Sequence, residues 1–570
     1  MKKNFVKIIT MMMSLIFLFS CFVGCKEKNT VSLPDYTQTN KQFTIFAYGA
    51  PLDGKYNYDG VIVEYGDKDE NGNNLGFRTV ERYKEYKEAG FDSLLIAGSA
   101  TLISDTWGDI NKCEAYKCCK YATEAGIEKI FVDDALFETW INKGDSLVGD
   151  KSKSTSVVFD DEDANADGIS DELFEATYNE LKIYCYEFGI CGTRLGDEPS
   201  WKYAGSYGKV YKAIKAAVKK LYEEGLASGK TDGIMKFGGE YYIQLNMAPI
   251  GFPGQSTYYA EAYVGPYENK EKGISVAEGK EYYTTYRDSY ARYLEAFIKE
   301  SGCDRLAVDV YAFRDSQIYG GTYANWQLFK EICDKYGVET TIVLQSFNQY
   351  NGKKLNYDTV SDAEMTMEIY SAIAMGATSL AYYTYMPSSN FSANGIKSLD
   401  NGCWLTRKGE KNDIYYYGQS LISDVRKIEN VILNYKYKGC KLYTSSVATF
   451  NNQPYLMGGN DSKCLEEKLL YFDNSYEFKL VKGITFDNDV TFMSELYDES
   501  NDLYMYALQN VIDPRNGADG NTEQNYTVDF GDYEWVAEYS DGELTYVPLE
   551  DGVYTRTLSA GYAVFLIPLK

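Results

Sequence analysis

Short apolar runs and long amphipathic segments alternate eight times between residues 43 and 436 of this chain. The short runs are rich in β-branched and aromatic residues, as strands are, and the segments after them carry apolar residues at helical spacing. One helix is marked at both ends, because TVERYKEYKEAG begins at Thr79, a typical N-cap residue, and stops at Gly90. Eight strand-then-helix units in series predict a (β/α)8 TIM barrel, an α/β fold, over residues 42–437.

The predicted units can be placed along the chain. Strands are expected at 43–50, 91–97, 127–133, 190–196, 241–248, 305–312, 340–346 and 378–385, and helices at 79–90, 113–126, 171–188, 204–225, 282–301, 326–336, 362–376 and 415–433. The alternative is an open doubly wound sheet. No GxGxxG or P-loop sequence occurs at any strand-to-helix turn, which disfavours that fold and predicts no nucleotide cofactor.

The pattern changes from about Lys438 onward. Short alternating segments such as LYMYAL from Leu503 and AVFLI from Ala563 are separated by turns, without long helices between them. This pattern predicts an all-β sandwich over residues 438–570. We expect this domain to support the barrel rather than to bind glycan.

The N-terminus has the layout of a secretory signal peptide, with three early lysines and an apolar run too short to span a bilayer comfortably. The sequence FVGC, ending at Cys25, then resembles the lipobox of bacterial lipoproteins, in which the cysteine is acylated; Cys21 ends a weaker second candidate. Residues 1–24 are therefore predicted to be a lipoprotein signal peptide and residues 25–41 a polar tether. The alternative is a plain signal peptide with an incidental cysteine. Either places the protein outside the cytoplasm, and acylation of Cys25 would anchor it to the cell membrane.

Charge and composition exclude several classes of function. The formal net charge of −26 makes nucleic acid and anionic lipid poor partners. The chain has no histidine, which excludes Ser-His-Asp and Cys-His nucleophiles and a His-ligated zinc site. A general acid or base must then be a carboxylate, Tyr, Lys or Cys. The cysteines beyond Cys25 form no CxxC pair and are expected to be small core residues.

The most specific motif is Gly-Asp-Glu-Pro-Ser at residues 196–200, at the predicted end of strand four. It resembles the NEP or DEP motif of clan-A-type glycoside hydrolases, in which the glutamate after strand four is the general acid/base. Four further segments resemble secreted, glycosidase-like barrels of bacteria that live on polysaccharide; they are LNMAP at 245–249, VDVYAF at 308–313, LQS at 344–346 and YYTY at 382–385. Each motif is short, and the weight of the resemblance comes from their order along the barrel. It implies that Glu198 is the general acid/base and that the ligand is a carbohydrate.

Hydrolysis of a glycoside needs a second carboxyl group, and here the chain departs from the clan. The nucleophilic glutamate of a retaining clan-A enzyme lies at the end of strand seven, where this chain has Gln345 and no acid. Three explanations stay open. Asp309 on strand six is the base or nucleophile, or the pair Asp133 and Asp134 after strand three supplies that group, or the protein only binds its ligand. Asp309 ranks first because it lies in a recognised motif. Asp197 is expected to be structural, and Glu240 to lie at the far end of the barrel.

Polar and aromatic residues at the strand ends are predicted to bind the substrate. Tyrosine rings stack on sugar rings, and side-chain amides pair with vicinal hydroxyls. The predicted set is Tyr48, Asp134, Asn246, Tyr311, Gln345, Tyr383 and Tyr385. The alternative for each is a packing role inside the barrel.

An acidic cluster at residues 161–172 has oxygen side chains on alternate residues, which suits a calcium loop. Neither possible register of the loop is complete, so a solvated acidic loop is the alternative. The predicted ligands are Asp161, Asp163, Asn165, Asp167 and Glu172. No other cofactor is expected.

The sequence therefore predicts a lipid-anchored, glycoside-hydrolase-like protein that cleaves O-glycosidic bonds of oligo- or polysaccharides at the cell surface. The main alternative is a non-catalytic, glycan-binding surface lipoprotein on a degenerate barrel. A solute-binding lipoprotein for sugar import is disfavoured, because it would have two lobes instead of eight βα units in one domain.

Overall fold

The computed structural model describes most of the chain after residue 31. The described residues are 32–39, 41–49, 51–58, 60–96, 113–133, 137, 168–199, 203–249, 280–314, 317–318, 321–351, 354–387, 390–391, 396–397, 402–444, 448–450, 453–455, 472–487, 490–514 and 523–570. Several predicted features lie outside them: the signal peptide, the predicted acylation site Cys25, Asp134 and the four predicted calcium ligands from Asp161 to Asp167. No helix in these ranges is long and apolar enough to cross a membrane.

Eight parallel strands form the barrel predicted from the sequence. They are β1 (Thr44–Ala47), β2 (Ser93–Ile96), β3 (Lys129–Asp133), β4 (Gly192–Asp197), β5 (Tyr242–Met247), β6 (Arg305–Asp309), β7 (Glu339–Gln345) and β8 (Ser379–Tyr383). In the sheet each strand lies beside its neighbour in the chain, from β2 through to β8, and β8 pairs with β1. This order is that of a (β/α)8 barrel, and the fold prediction is confirmed.

Helices follow the strands and cover the sheet. They are α1 (Val80–Glu88), α2 (Glu114–Glu124), α3 (Asp171–Ile183), which continues as a π-helical turn (Tyr184–Phe188), α4 (Ala204–Ala227), α5 (Lys280–Ser301), α6 (Gly321–Tyr336), α7 (Asp362–Ala374) and α8 (Asp413–Ile432). The Thr79 side chain caps α1 as predicted, by accepting from the Arg82 N–H. Ser361 and Glu364 form a reciprocal capping box on α7.

Aromatic side chains fill the middle of the barrel. Phe131 on β3 and Tyr242 on β5 stack across the interior with ring centroids 4.3 Å apart, and Phe46 on β1 meets both rings edge-on. Successive strand residues alternate between the interior and the helices, so one side chain from each of these strands reaches the axis. The barrel is therefore a packed core, and ligands can reach only its ends.

Side chains rather than a strand ladder close the barrel between β1 and β2. The Tyr86 hydroxyl of α1 accepts from the Ala47 N–H at 2.8 Å and donates to the Ser93 carbonyl at 2.9 Å. Asp92 accepts from the Ile45 N–H through its carboxylate at 2.7 Å and donates its own N–H to the Ile45 carbonyl at 3.1 Å. Backbone groups that a ladder would pair are thereby satisfied in a buried seam.

The C-terminal region is a two-sheet β-sandwich, as predicted. Its strands are β9 (Lys436–Thr444), β10 (Gly483–Phe486), β11 (Val490–Asp498), β12 (Leu503–Asn510), β13 (Gln524–Asp529), β14 (Trp535–Ser540), β15 (Glu543–Pro548), β16 (Val553–Leu558) and β17 (Ala563–Leu569). One antiparallel sheet has the order β9-β11-β12-β17-β14-β15, and the other has the order β10-β13-β16. Tyr506 and Val564 of the first sheet pack with Val528 and Tyr554 of the second in a separate core.

Shorter elements occupy the loops. The short strands are Lys55–Tyr58, Val61–Glu64, Asp67–Lys68, Asn74–Gly76, Phe313–Arg314, Gln317–Ile318, Gln349–Asn351, Lys354–Tyr357, Asn390–Phe391, Ile396–Lys397, Ala448–Phe450 and Gln453–Tyr455, and Thr37–Thr39 and Gly233–Phe237 are 3-10 turns. The nine cysteines of the described ranges are all unbonded, and eight are buried, as expected for small core residues.

The sandwich is fixed to the barrel by a buried polar contact with α7. The Gln509 amide of β12 donates to the carbonyls of Met367 at 3.0 Å and Gly561 at 2.9 Å, and its oxygen accepts from the Ser371 hydroxyl at 2.7 Å. Each polar atom of this amide is thus paired at the interface. The supporting role expected for the domain stays a prediction.

The end of the predicted tether is also packed at this junction, so the polar tether is shorter than the sequence suggested. Tyr36 is buried, and its hydroxyl donates to Asp498 of β11 at 2.8 Å and lies 3.0 Å from the hydroxyl of Tyr435. The Leu33 N–H donates to the Tyr546 hydroxyl of β15 at 3.0 Å. From Leu33 onward the segment therefore belongs to the folded body.

The closing seam gives a stability prediction. Tyr86→Phe removes one hydroxyl and leaves two buried backbone groups unpaired, so the free energy of unfolding should fall by about 1–3 kcal/mol. Urea denaturation followed by tryptophan fluorescence measures this loss. Tyr382→Phe is the matched control, because the buried Tyr382 hydroxyl has no hydrogen-bond partner in the described part of the chain. An equal loss in both variants would contradict the role of Tyr86.

Candidate active site

Polar side chains from several strands meet at the C-terminal mouth of the barrel, the end at which such barrels carry their active sites. Their contacts with one another, given below, place them on the inner face. The residues are Tyr48 after β1, Asp133 on β3, Arg194 and Asp197 on β4, Asn246 on β5, Asp309 on β6 and Tyr383 on β8.

Arg194 is the central cation of this mouth. Its guanidinium lies 2.5 Å from the Asp133 carboxylate and 3.1 Å from that of Asp197, and it stands 5.7 Å from the centre of the Tyr48 ring. Asp197 also accepts from the Asn246 amide at 2.7 Å. Asp197 therefore bonds the neighbouring strand, which is the structural role expected for it. The sequence reasoning missed Arg194, although a charged residue within the strand segment GTRLGD was a signal.

Glu198 follows β4 directly, in a backbone conformation that is unusual for a glutamate. Its φ is +44°, in the left-handed region, and its N–H donates to the Asn246 carbonyl at 2.8 Å. The Tyr293 hydroxyl of α5 donates to the Pro199 carbonyl at 2.9 Å and accepts from the Ala248 N–H at 3.2 Å. One buried hydroxyl thus ties together the ends of β4 and β5 beside the half-buried Glu198.

Asp309 ends β6 and is half-buried at the mouth. Its Oδ2 accepts from the Tyr311 hydroxyl at 3.4 Å, while its Oδ1 is buried without a hydrogen bond of normal geometry in the described residues. Burial is the main cause that raises the pKa of Asp309 well above its usual range, and the negative charges of Glu198 and Asp197 raise this pKa further. The Asn246 side chain lowers it by less. In the structure, Glu198 and Asp309 flank β5: the Glu198 N–H donates to the Asn246 carbonyl, and β6 pairs with β5 at Asn246 and Met247.

Aromatic rings border the mouth beside Asp309. The Tyr311 ring lies 4.8 Å from that of Phe347 and 5.9 Å from that of Tyr383, and Tyr357 packs on Phe347 at 4.9 Å. Tyr48 completes the group, at 5.9 Å from Tyr383. Tyr383 is 38% exposed, so a ligand can reach its ring. The predicted residues Tyr48, Tyr311 and Tyr383 are thus brought together, whereas Phe347 and Tyr357 were missed.

Gln345, predicted to bind substrate, has surroundings that do not suit that role. It is fully buried, its amide oxygen accepts from the Phe313 N–H at 2.9 Å, and its amide nitrogen donates to the carbonyls of Phe313 at 2.8 Å and Asp358 at 3.0 Å. These bonds hold the loop after β6 and leave no group for a sugar. Only the fold reveals this role, because Phe313 and Asp358 are distant in sequence.

Tyr385 also lies away from the mouth. Its ring is fully buried and packs on Tyr86 at 5.0 Å and on Phe91 at 5.9 Å, behind the barrel wall. The peptide bond Tyr383–Thr384 is cis. Tyr383 contacts the rings of the mouth, and two residues further on Tyr385 is in the core between barrel and helices.

Of the five predicted calcium ligands, Glu172 alone lies in the described residues. Glu172 is exposed in the first turn of α3, two residues after the cap Ser170. The described ranges contain no group of three or more His, Cys, Asp or Glu residues that could hold a metal ion.

A cavity of about 470 Å³ lies at the opposite, N-terminal end of the barrel. Arg305 and Glu339 form an ion pair in its wall, Lys215 and Asp304 form another, and Glu240 lies at its border, which confirms the expected position of Glu240. In barrels of this kind, residues at the N-terminal end serve stability. The candidate active site is therefore the C-terminal mouth.

Comparisons with known proteins give matches only among solved structures, since no protein-family model and no curated protein matches the chain. A family 39 glycoside hydrolase from Bacteroides cellulosilyticus WH2 is 12% identical with a TM-score of 0.41, over 94% of this chain and 83% of the other. A family 27 β-L-arabinopyranosidase from Geobacillus stearothermophilus is 9% identical with a TM-score of 0.41, over 94% and 98%. A family 30 endoxylanase from Clostridium papyrosolvens C71 is 12% identical with a TM-score of 0.35, over 86% and 94%. At these low values, the barrel assignment rests on the strand order.

The Tyr293 bridge gives a local prediction. Tyr293→Phe removes the acceptor of the Ala248 N–H, so this amide should exchange with deuterium faster, and the free energy of unfolding should fall by about 1–2 kcal/mol. Hydrogen exchange with peptide-level mass spectrometry measures the effect at the ends of β4 and β5. Tyr211→Phe is the matched control, since the buried Tyr211 hydroxyl bonds Asp304 at the other end of the barrel. Unchanged exchange at Ala248 in Tyr293→Phe would refute the bridge.

Proposed function

We propose that this protein is a glycoside hydrolase that cleaves O-glycosidic bonds of oligo- or polysaccharides at the cell surface, with Glu198 and Asp309 as its catalytic pair. The observation that carries the proposal is their position. Glu198 follows β4 and Asp309 ends β6, on the two sides of β5, with which both segments are hydrogen-bonded or paired, and the exposed ring of Tyr383 lies at the same mouth. A pair of carboxyl groups is the basic equipment of glycoside hydrolysis.

One member of such a pair must carry a proton at the working pH. The sequence-based assignment gave the proton to Glu198 and the role of base or nucleophile to Asp309. The raised pKa of Asp309 supports the proposal that Asp309 can instead hold this proton. Activity that depends on the protonated Asp309 would then fall as the pH rises through the pKa of this residue.

The rings around Asp309 support a carbohydrate as the ligand. Tyr383 offers an exposed face for stacking on a pyranose ring, and Phe347 and Tyr311 hold it from behind. Asn246 and Asp197 are hydrogen-bonded to each other. Carboxylate oxygens of the kind present at this mouth are good acceptors for sugar hydroxyls.

A second candidate function is favoured by one observation. At the end of β7, where a retaining clan-A enzyme has its nucleophile, Gln345 is fully buried and bonded to backbone groups. A barrel that has lost this nucleophile could serve as a non-catalytic, glycan-binding surface lipoprotein. The two functions differ in turnover and not in binding.

The catalytic pair is tested by two isosteric variants. Glu198→Gln and Asp309→Asn should each lower kcat by about 10²–10⁴-fold while ligand binding persists, because each removes one proton-transfer or nucleophilic group. The measurement is hydrolysis of a panel of plant and host glycans across pH, with binding measured in parallel. Asp309→Asn should also lose the alkaline limb of the pH profile, because it removes the group with the raised pKa.

Glu240→Gln is the control for these variants, since Glu240 lies at the opposite end of the barrel and its replacement should leave kcat unchanged. Saturable binding without hydrolysis in the unmodified protein, and unchanged binding in both mouth variants, would favour the non-catalytic lipoprotein.

The surface location is tested at Cys25. If this residue is acylated after removal of residues 1–24, Cys25→Ser should move the protein from the membrane fraction to the soluble fraction. Cell fractionation with metabolic palmitate labelling measures both effects. Cys21→Ser is the control and should stay with the membrane. Membrane fractionation of the double variant would contradict a lipid anchor.

A further inference from the structure

We infer that the mouth accepts an uncharged sugar next to the catalytic pair and rejects uronic acid and sulfated sugars. This inference rests on the proposed function and deepens it by naming the class of substrate. It is carried by the position and pairing of Arg194.

Arg194, within β4, is the one cation among the seven described residues that were placed at the mouth above. Its charge is already engaged by two carboxylates, at 2.5 Å from Asp133 and 3.1 Å from Asp197. Its Nε is buried, and the Tyr48 ring covers the guanidinium from one side. A substrate carboxylate or sulfate would have to compete with two fixed carboxylates for this cation.

The carboxylates beside Arg194 outnumber it among the described residues of the mouth. Asp133 and Asp197 together carry more negative charge than this one guanidinium offsets. The chain as a whole has a net charge of −26, so its long-range field also repels anions. Repulsion between charges in a partly buried mouth is screened less than at an open surface.

The groups that remain for a ligand suit neutral hydroxyls. Carboxylate oxygens accept hydrogen bonds from hydroxyls, and the exposed ring of Tyr383 gains from contact with the apolar face of a sugar. A neutral pyranoside therefore gains these contacts without bringing a charge that must be desolvated.

The test compares chromogenic glycosides that differ only at carbon 6. Each p-nitrophenyl hexoside, in both anomers, is paired with the uronide of the same configuration. We expect kcat/KM to be at least about tenfold higher for the neutral member of each pair. The kcat/KM of the neutral member should stay constant as the ionic strength rises from about 20 to about 500 mM. The uronide, where it reacts, should react faster at high salt, because salt screens repulsion. Equal or better use of the uronide would overturn the inference, as would a neutral rate that changes steeply with salt.

An Asp133→Asn variant makes the cause specific. This variant removes one of the two carboxylate charges that engage Arg194, so a substrate anion meets less competition for the guanidinium. The preference for the neutral sugar should then shrink by roughly tenfold. Asp304→Asn, which breaks an ion pair at the other end of the barrel, is the matched control and should leave the preference unchanged. Thermal unfolding of both variants verifies folding, and an unchanged preference in folded Asp133→Asn would refute the role of Arg194.

Failure of the proposed function is a separate outcome. If no glycoside is hydrolysed, the enzyme proposal fails, and the charge preference is measured instead by calorimetric titration with neutral and uronic acid oligosaccharides. Tighter binding of the acidic oligosaccharide would then overturn the inference itself.

Discussion

The mouth of this barrel depends on one guanidinium that is shared by two carboxylates. Carboxyl groups gather at the ends of parallel strands only if their mutual repulsion is offset, and Arg194 offsets it between Asp133 and Asp197. Removing one partner of such a partly buried network leaves an uncompensated charge, which costs far more than an exposed ion pair contributes. The remaining negative field is then available to act on Asp309, and it adds to the effect of burial on the pKa of that residue. Arg194 thus offsets the repulsion between Asp133 and Asp197, while the negative charge that is left beside it acts on Asp309.

The backbone turn at the end of β4 positions the carboxyl group of Glu198. A residue with φ of +44° turns the chain sharply, and a side chain other than glycine adopts that conformation at a cost. The cost is sustained because hydrogen bonds on both sides fix the turn, from Glu198 to Asn246 and from Tyr293 to Pro199. A functional group held by the ends of strands and a packed helix is positioned more precisely than one on a free loop.

The sequence predicted the eight strands and helices closely, because their hydrophobic periodicity and caps are local signals. Val80–Glu88, for example, lies within the helix expected from Thr79 to Gly90. The meeting of Glu198 and Asp309 could also be expected, since strand ends share one rim. Three features could not be predicted, namely the seam closed by Tyr86, the pairing of Arg194 and the backbone contacts of Gln345. Each depends on which residues face each other across the barrel, and that information is not in the spacing along the chain.

Helix α7 connects the C-terminal domain with the ends of two barrel strands. The Met367 carbonyl and the Ser371 hydroxyl of α7 bond the Gln509 side chain of the sandwich. The Glu368 side chain of the same helix accepts from the Gln345 N–H at 2.9 Å and from the Ala312 N–H, at the end of β7 and after β6. Burial raises the pKa of Glu368 well above its usual range. Because Asp309 precedes Ala312 by three residues on the same segment, the packing of the sandwich on α7 supports the strand end that carries Asp309. The sandwich can therefore contribute to the precision of the mouth through packing alone.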